Sequence, residues 1–335
     1  MTASLMIVMY HYVRPIAESR YPAIKGLEFE HFRGQLDFIA KHYRVVRADE
    51  VIAAMRGEAE LPERAALLTF DDGYSDHYDH VFPELVARGM QGSFFPPACS
   101  VLDGRVLDVN KIHFVLASGV DPRQLVGEIF AVLDTHRTSH GLKRNAEYYR
   151  TYSSESRYDT PDVTFIKRIL QKGLPQALRS ELIDQLFRRY VTADERGFAE
   201  SLYMNTRQLR ELHAAGMCLG SHGDRHRWLN TLSPVEQRQE IERSLTFLQE
   251  LGVPARDWVM CYPYGGYDDS LLEILRDKQC AMGLSVEVGL ADLTRNDPLL
   301  LPRLDTNDVP FSAATGLDAF KWADTSLVAA RHSLT

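Results

Sequence analysis

Several things are scarce in this 335-residue chain, and each scarcity excludes a class of protein. Cysteine occurs four times, at Cys99, Cys218, Cys261 and Cys280, with no Cys-x-x-Cys pair. That spacing argues against a zinc knuckle and against a disulfide-stapled secreted scaffold, and leaves buried reduced thiols as the expectation. Basic charge is outnumbered: 38 Lys and Arg against 46 Asp and Glu give a net charge of −8. The electrostatic footprint of a nucleic-acid binder is therefore missing. The longest charge-free stretch, Gly89–Leu102, is broken by glycine and proline and falls short of the about 20 apolar residues that a membrane helix needs. Met1–Val13 lacks a basic leader region and a small-residue cleavage site, so a cytoplasmic chain with no membrane span is expected. Internal repeats and low-complexity tracts are also absent.

What is present is ordinary folded composition, 45% apolar and 25% charged, which excludes a mainly disordered chain. Short apolar runs bounded by turn residues predict strands at Leu5–Tyr10, Ala65–Phe70, Gln91–Phe95, Met217–Ser221, Trp258–Tyr262, Ala281–Ser285 and Leu299–Leu304. Helical periodicity is read over Glu30–His42, Ala48–Met55, Asp76–Arg88, Thr206–Ala215 and Asp269–Asp277. A capping box at Ser233–Glu236 with proline at the first helical position starts another helix, which runs to about Leu251. Strands alternating with helices indicate a parallel α/β sheet, open or closed into a barrel.

Residues 103–203 interrupt this rhythm. They carry helical patterns at Val106–Leu116, Pro122–Leu133 and Gln176–Tyr190, with a polar, Tyr- and Arg-rich segment, Arg137–Tyr158, read as a surface loop, with a lid or substrate-binding surface as the alternative. The expected organisation is a first barrel part over residues 1–102, a helical insertion and candidate lid over 103–203, a second barrel part over 204–312 and a tail over 313–335.

Candidate reactive groups follow the predicted strands. His11 follows the first, Asp71 and Asp72 the second, and His222 and His226 the Met217–Ser221 strand. Tyr262–Gly265 follows Trp258–Tyr262, and Arg303 and Asp305 end Leu299–Leu304. In a parallel barrel these strand ends share one face, where active sites are built. His222 and His226 are four apart, so one turn or a tight loop brings both imidazoles to a single ion, but His-x-x-x-His alone is a weak signal. Adjacent carboxylates at a strand end repel one another and require a cation, a proton or an arginine. One Asp and two His around a divalent metal leave positions open for water and substrate, and the second Asp is then free to take a proton.

Leu68-Thr69-Phe70-Asp71-Asp72-Gly73-Tyr74 resembles the first motif of the polysaccharide deacetylases, the NodB-homology or carbohydrate esterase family 4 group. Gly92-Ser93-Phe94-Phe95 is similar to the strand that follows it there. Ser221-His222-Gly223-Asp224-Arg225-His226 resembles the second motif, and Tyr262-Pro263-Tyr264-Gly265 the third. The resemblance implies a distorted (β/α) barrel that hydrolyses acetamido groups on sugars with a divalent metal, usually zinc. It implies Asp72, His222 and His226 as metal ligands, Asp71 as general base and the Tyr264 backbone N–H as oxyanion donor.

Three departures stand out. Tyr262 occupies the place of the family's usual arginine before the third-motif proline, and Arg303 is the candidate replacement beside Asp71. Gly223 replaces the usual Ser or Thr after the first metal histidine. The late Leu-x-His that supplies the general acid is absent; only His332, in the tail, follows His226. His11 is the candidate replacement acid. Trp228, Tyr74 and Asp305 are candidate substrate contacts, with packing beneath the site as the alternative for Trp228. His77, His80 and His113 are read as surface or supporting groups.

The expected activity is removal of an N-acetyl group from a sugar, an intracellular precursor of a surface polysaccharide. The alternatives are an amidohydrolase of a non-sugar amide on the same barrel and a non-catalytic glycan-binding protein.

Overall fold

A computed structural model of the chain describes residues 4–155 and 159–323; His332 and the end of the tail lie outside the described residues. Two compact units are present. Among the described residues, the first falls within the ranges 1–15, 26–104 and 200–335, and the second within 16–25 and 105–199.

The first unit is a parallel barrel. Seven of the nine strands in its sheet form its wall: β1 (Ser4–Tyr10), β2 (Ala65–Asp71), β3 (Gly92–Phe95), β4 (Cys218–Leu219), β5 (Trp258–Cys261), β6 (Cys280–Val288) and β7 (Leu301–Asp305). They neighbour one another in the order β4-β3-β2-β1-β7-β6-β5. A parallel bridge between Ser221 and Met260 joins the two ends, so the sheet is nearly closed. All seven strands coincide with the apolar runs read from the sequence.

Strand parity decides which side chains enter the barrel. Leu5, Ile7, Ala65, Leu67, Val259, Cys261, Leu284 and Leu301 pack together as one buried cluster. The alternate residues Met6, Val8, Tyr10, Leu68 and Phe70 pack outward against Phe32, Leu36 and Ile39 of the helix Phe29–His42. Continuing the inward parity of β2 and β7 reaches Asp71 and Arg303. Polar side chains thus occupy interior positions near the carboxyl ends of two strands.

The helix expected over Asp76–Arg88 is split: a wide turn at His77–Val81 precedes the helix Phe82–Ala87. Proline at position 83 cannot donate its backbone hydrogen bond, which interrupts the regular ladder. Part of the expected tail is packed: Phe320 is buried against Phe38 and Tyr43.

The second unit is helical, with helices Asp108–Ala117, Pro122–His140, Asn145–Tyr152, Pro161–Arg168 and Gln176–Tyr190. Leu125, Ile129, Leu133, Phe165, Ile169, Leu182 and Phe187 form its core. The structure corrects the loop reading of Arg137–Tyr158 where it is described. The helix from Pro122 continues to His140 and ends on Gly141 in the left-handed conformation, the usual way a helix stops. Asn145–Tyr152 then forms its own helix, with Glu147 accepting from the Arg144 N–H. The tyrosines belong to the packing: Tyr148 is buried, and Tyr149 donates to Asp162 and leans on Phe165. Lys111 is fully buried and paired with Asp184 and Glu195.

Candidate active site

Asp72, His222 and His226 converge under the carboxyl ends of the strands. The Nε2 atoms of His222 and His226 lie 3.4 and 3.3 Å from Asp72 Oδ1. The Nδ1–H of His222 donates to the Cys261 carbonyl at 2.7 Å, which fixes the ring and turns its Nε2 toward Asp72. The other carboxylate oxygen, Asp72 Oδ2, accepts the Tyr74 hydroxyl at 2.5 Å. Oδ1 itself is buried and has no hydrogen-bond partner among the described residues. A buried carboxylate oxygen without a donor is costly, yet this one faces two imidazole nitrogens. Two neutral imidazoles and one carboxylate suit a catalytic divalent ion with open positions, so these residues fit the metal that the resemblance implies. A second grouping, Asp71 with His222 and Cys261, is similarly close, but both Asp71 oxygens already face a cation.

That cation is Arg303. Its Nη1 and Nη2 lie 2.9 Å from Asp71 Oδ1 and Oδ2. Its Nε–H donates to the Ser285 carbonyl, and Nη1 also reaches the Thr69 hydroxyl. Asp71 and Arg303 are each 1% exposed. Burial pushes the Asp71 carboxyl up, but Arg303, with His11 and His222, more than reverses this and holds it at about 2. Asp71 is therefore ionised and oriented beside the Asp72 group. Tyr262, where the family usually has arginine, is instead a buried anchor whose hydroxyl donates to the Leu299 carbonyl.

His11 stands at the rim. Its side chain is 43% exposed, and its Nε2 lies 3.9 Å from Asp71 Oδ2. Its carbonyl accepts from His77 Nε2 at 2.8 Å. His77 is fully buried, and burial lowers its pKa to about 4. It therefore sits as a neutral donor that fixes the His11 backbone. The sequence placed His77 only loosely, because a side chain bonded to a distant carbonyl leaves no local pattern.

The remaining candidates divide. Trp228 is half-buried and stacked on Tyr264, with centroids 4.7 Å apart and planes 2° from parallel. Tyr264 also meets the edge of His226. Tyr74 is fully buried beneath Asp72 and stacked on Tyr12, so the structure corrects its reading as a substrate contact. Asp305 accepts from the Asn307 N–H and side-chain amide, so its carboxylate holds a turn. Backbone strain gathers here as well. Asp72, His226 and Tyr264 adopt positive φ values of 70°, 52° and 57°, a conformation that non-glycine residues rarely accept and that clusters at functional sites. Gly223, where the family has Ser or Thr, has φ +72°, which glycine adopts without strain.

The comparisons with known proteins agree with this architecture. Residues 188–283 match the polysaccharide deacetylase family model, a span that holds both histidines and the Tyr262–Gly265 motif. YxkH of Bacillus subtilis (strain 168), which carries a polysaccharide deacetylase name, is 32% identical over 94 residues, 28% of this chain and 32% of its own. The poly-beta-1,6-N-acetyl-D-glucosamine N-deacetylase of Escherichia coli (strain K12) is 49% identical over 45 residues, 13% of this chain and 7% of its own. The matches thus span a third or less of these relatives' lengths. Among solved structures, the Streptococcus pyogenes deacetylase PplD in complex with acetate superposes with a TM-score of 0.55 at 16% identity, covering 91% of this chain and 93% of that one. IcaB from Ammonifex degensii gives 0.52 at 20% identity, covering 90% and 91%. These structural likenesses show the fold. No described helix is long and apolar enough to cross a membrane. The resemblance to the polysaccharide deacetylases of the NodB-homology type therefore holds, in sequence over residues 188–283 and in fold over most of the chain.

Proposed function

We propose that the chain is a metal-dependent N-deacetylase of an N-acetylated hexosamine glycan. The observation that carries this reading is the unpartnered Asp72 Oδ1 facing two imidazole nitrogens beside an ionised Asp71. The E. coli relative's name supports an N-acetylglucosamine glycan as substrate. The four free thiols accord with a reducing compartment, so an intracellular precursor glycan is the first substrate to test beside the polymer.

Asp72, His222 and His226 would hold the ion, most simply zinc. Bound there, it supplies Lewis acidity toward the acetamide carbonyl and the attacking water. Asp71 takes a proton from that water as its oxygen adds to the acetyl carbon, and Arg303 keeps the carboxylate ionised and aimed. The Tyr264 N–H donates to the oxygen that gains negative charge. His11, as imidazolium, gives its proton to the sugar nitrogen as the C–N bond breaks. Acetate and a free amine leave. Trp228 and Tyr264 offer an aromatic wall for a sugar ring.

The test is acetate release from N-acetylglucosamine oligomers by zinc-loaded protein, with free amine measured in parallel. The reading predicts equal amounts of acetate and amine. A zinc-loaded protein that binds the oligomers but releases no acetate contradicts it and favours a glycan-binding role. Hydrolysis of simple amides alone favours a non-sugar amidohydrolase.

A further inference from the structure

The helix Pro234–Glu250 packs its inner face on the barrel, and that face should be apolar. Ile241, Leu245 and Leu248 follow this rule, but Gln237, Glu240 and Ser244 are buried beside them. Three polar residues at i, i+3 and i+7 form a stripe along one side of the helix. Buried polar groups on such a face need partners; Glu240 and Ser244 find theirs in one segment, residues 221–225, while Gln237 reaches Leu229 just beyond it and also bonds Asp268 and Ser270.

Glu240 is 5% exposed. Its Oε2 accepts the backbone N–H groups of Asp224 and Arg225 at 3.0 and 2.9 Å. The Ser244 hydroxyl lies 2.8 Å from the Ser221 hydroxyl, whose oxygen accepts the Gly223 N–H. Gln237 donates to the Leu229 carbonyl. From the other side, the Ala98 and Cys99 N–H groups donate to the carbonyls of Gly223 and Asp224. The segment between His222 and His226 is neither helix nor strand and turns through positive φ at Gly223 and His226. Its conformation is therefore imposed from outside.

We propose that Glu240 is a positioning residue for the candidate metal centre, with Ser244 in a supporting part. The carboxylate gathers two successive N–H groups midway between the histidines and so sets the spacing at which both Nε2 atoms face Asp72. The stripe also explains how the loop keeps its shape with glycine at position 223, where a side-chain hydroxyl is absent. This proposal rests on the metal reading given above.

The experiment measures zinc affinity by chelator competition, the visible spectrum of the cobalt-loaded protein and the melting temperature of the metal-free protein. Glu240→Leu is expected to weaken zinc binding by roughly 10–100-fold, the usual loss when an outer partner of a metal ligand is removed, and to change the cobalt spectrum. Glu240→Gln keeps an oxygen acceptor and is expected to retain affinity within about threefold of wild type. Ser244→Ala, a milder change that serves if Glu240→Leu fails to fold, is expected to lose affinity while the metal-free melting temperature stays near that of wild type. Wild-type zinc affinity and an unchanged cobalt spectrum in Glu240→Leu, or in Ser244→Ala if only that variant folds, would overturn the positioning role. A wild-type protein that binds no zinc would overturn the metal reading itself, and this proposal with it.

Discussion

Arg303→Met is the most informative single substitution. It removes the guanidinium while keeping a long apolar side chain in a fully buried place. Asp71 then stays 1% exposed without the two 2.9 Å contacts that balance its charge. Breaking a buried ion pair from one side costs about 3–5 kcal/mol, because an uncompensated charge remains. The unit that holds the pair has roughly 230 residues. At about 2–4 °C per kcal/mol for that size, melting should fall by roughly 6–20 °C. Scanning calorimetry checks this. The double variant Asp71→Leu/Arg303→Met should recover most of the lost stability, since replacing both partners with apolar groups removes the orphaned charge, yet it should remain inactive. The reasoning is refuted if Arg303→Met melts within about 2 °C of wild type, or if the double variant is no more stable than the single one.

Three further outcomes are expected. His11→Ala should slow sugar deacetylation by about 10²–10⁴-fold but barely affect 4-nitrophenyl acetate, whose leaving group needs no proton; equal loss on both substrates would remove His11 from the acid role. Tyr74→Phe deletes the hydroxyl on Asp72 Oδ2, and chelator competition should show zinc binding weakened by roughly 10–100-fold; unaltered affinity would mean that Oδ2 needs no such donor. His77 titrates at about 4 when folded against 6.5 ordinarily, so between these values the unfolded chain binds more protons and stability falls as pH falls, by up to about 3 kcal/mol. His77→Gln should make that acid-side decline shallower in denaturant titrations at pH 7, 5.5 and 4, and parallel curves would show that His77 is not held neutral.

The barrel strands were legible because each is a short apolar run closed by turn residues, as in Ala65–Phe70 before Asp71-Asp72-Gly73. Strand-end chemistry was legible for the same reason: a parallel barrel collects those ends on one face. Arg303 could be nominated beside Asp71 because the family that the chain resembles usually carries an arginine where Tyr262 stands. Other features left no local trace. The helix Asn145–Tyr152 buries chiefly Tyr148, so its pattern read as polar. The His77 bond to the His11 carbonyl and the Cys261 carbonyl on His222 join residues 66 and 39 positions apart. Tyr74 looked like a substrate contact because position after a strand does not reveal whether a side chain turns outward or beneath the site. Nor does the residue type at His226 or Tyr264 announce a left-handed backbone.

The central claim is that Asp72 and two imidazoles hold one ion while Asp71 remains outside its ligand set. Zinc content measured together with X-ray absorption on wild type, Asp72→Ala and Asp71→Asn tests it most directly. The account predicts about one zinc per wild-type chain with two histidine nitrogens at about 2.0–2.1 Å. It predicts loss of that zinc in Asp72→Ala, and retention in Asp71→Asn despite turnover lowered by about 10²–10⁴-fold. A wild-type protein that takes up no zinc, or an Asp71→Asn variant that loses it as Asp72→Ala does, would contradict the account.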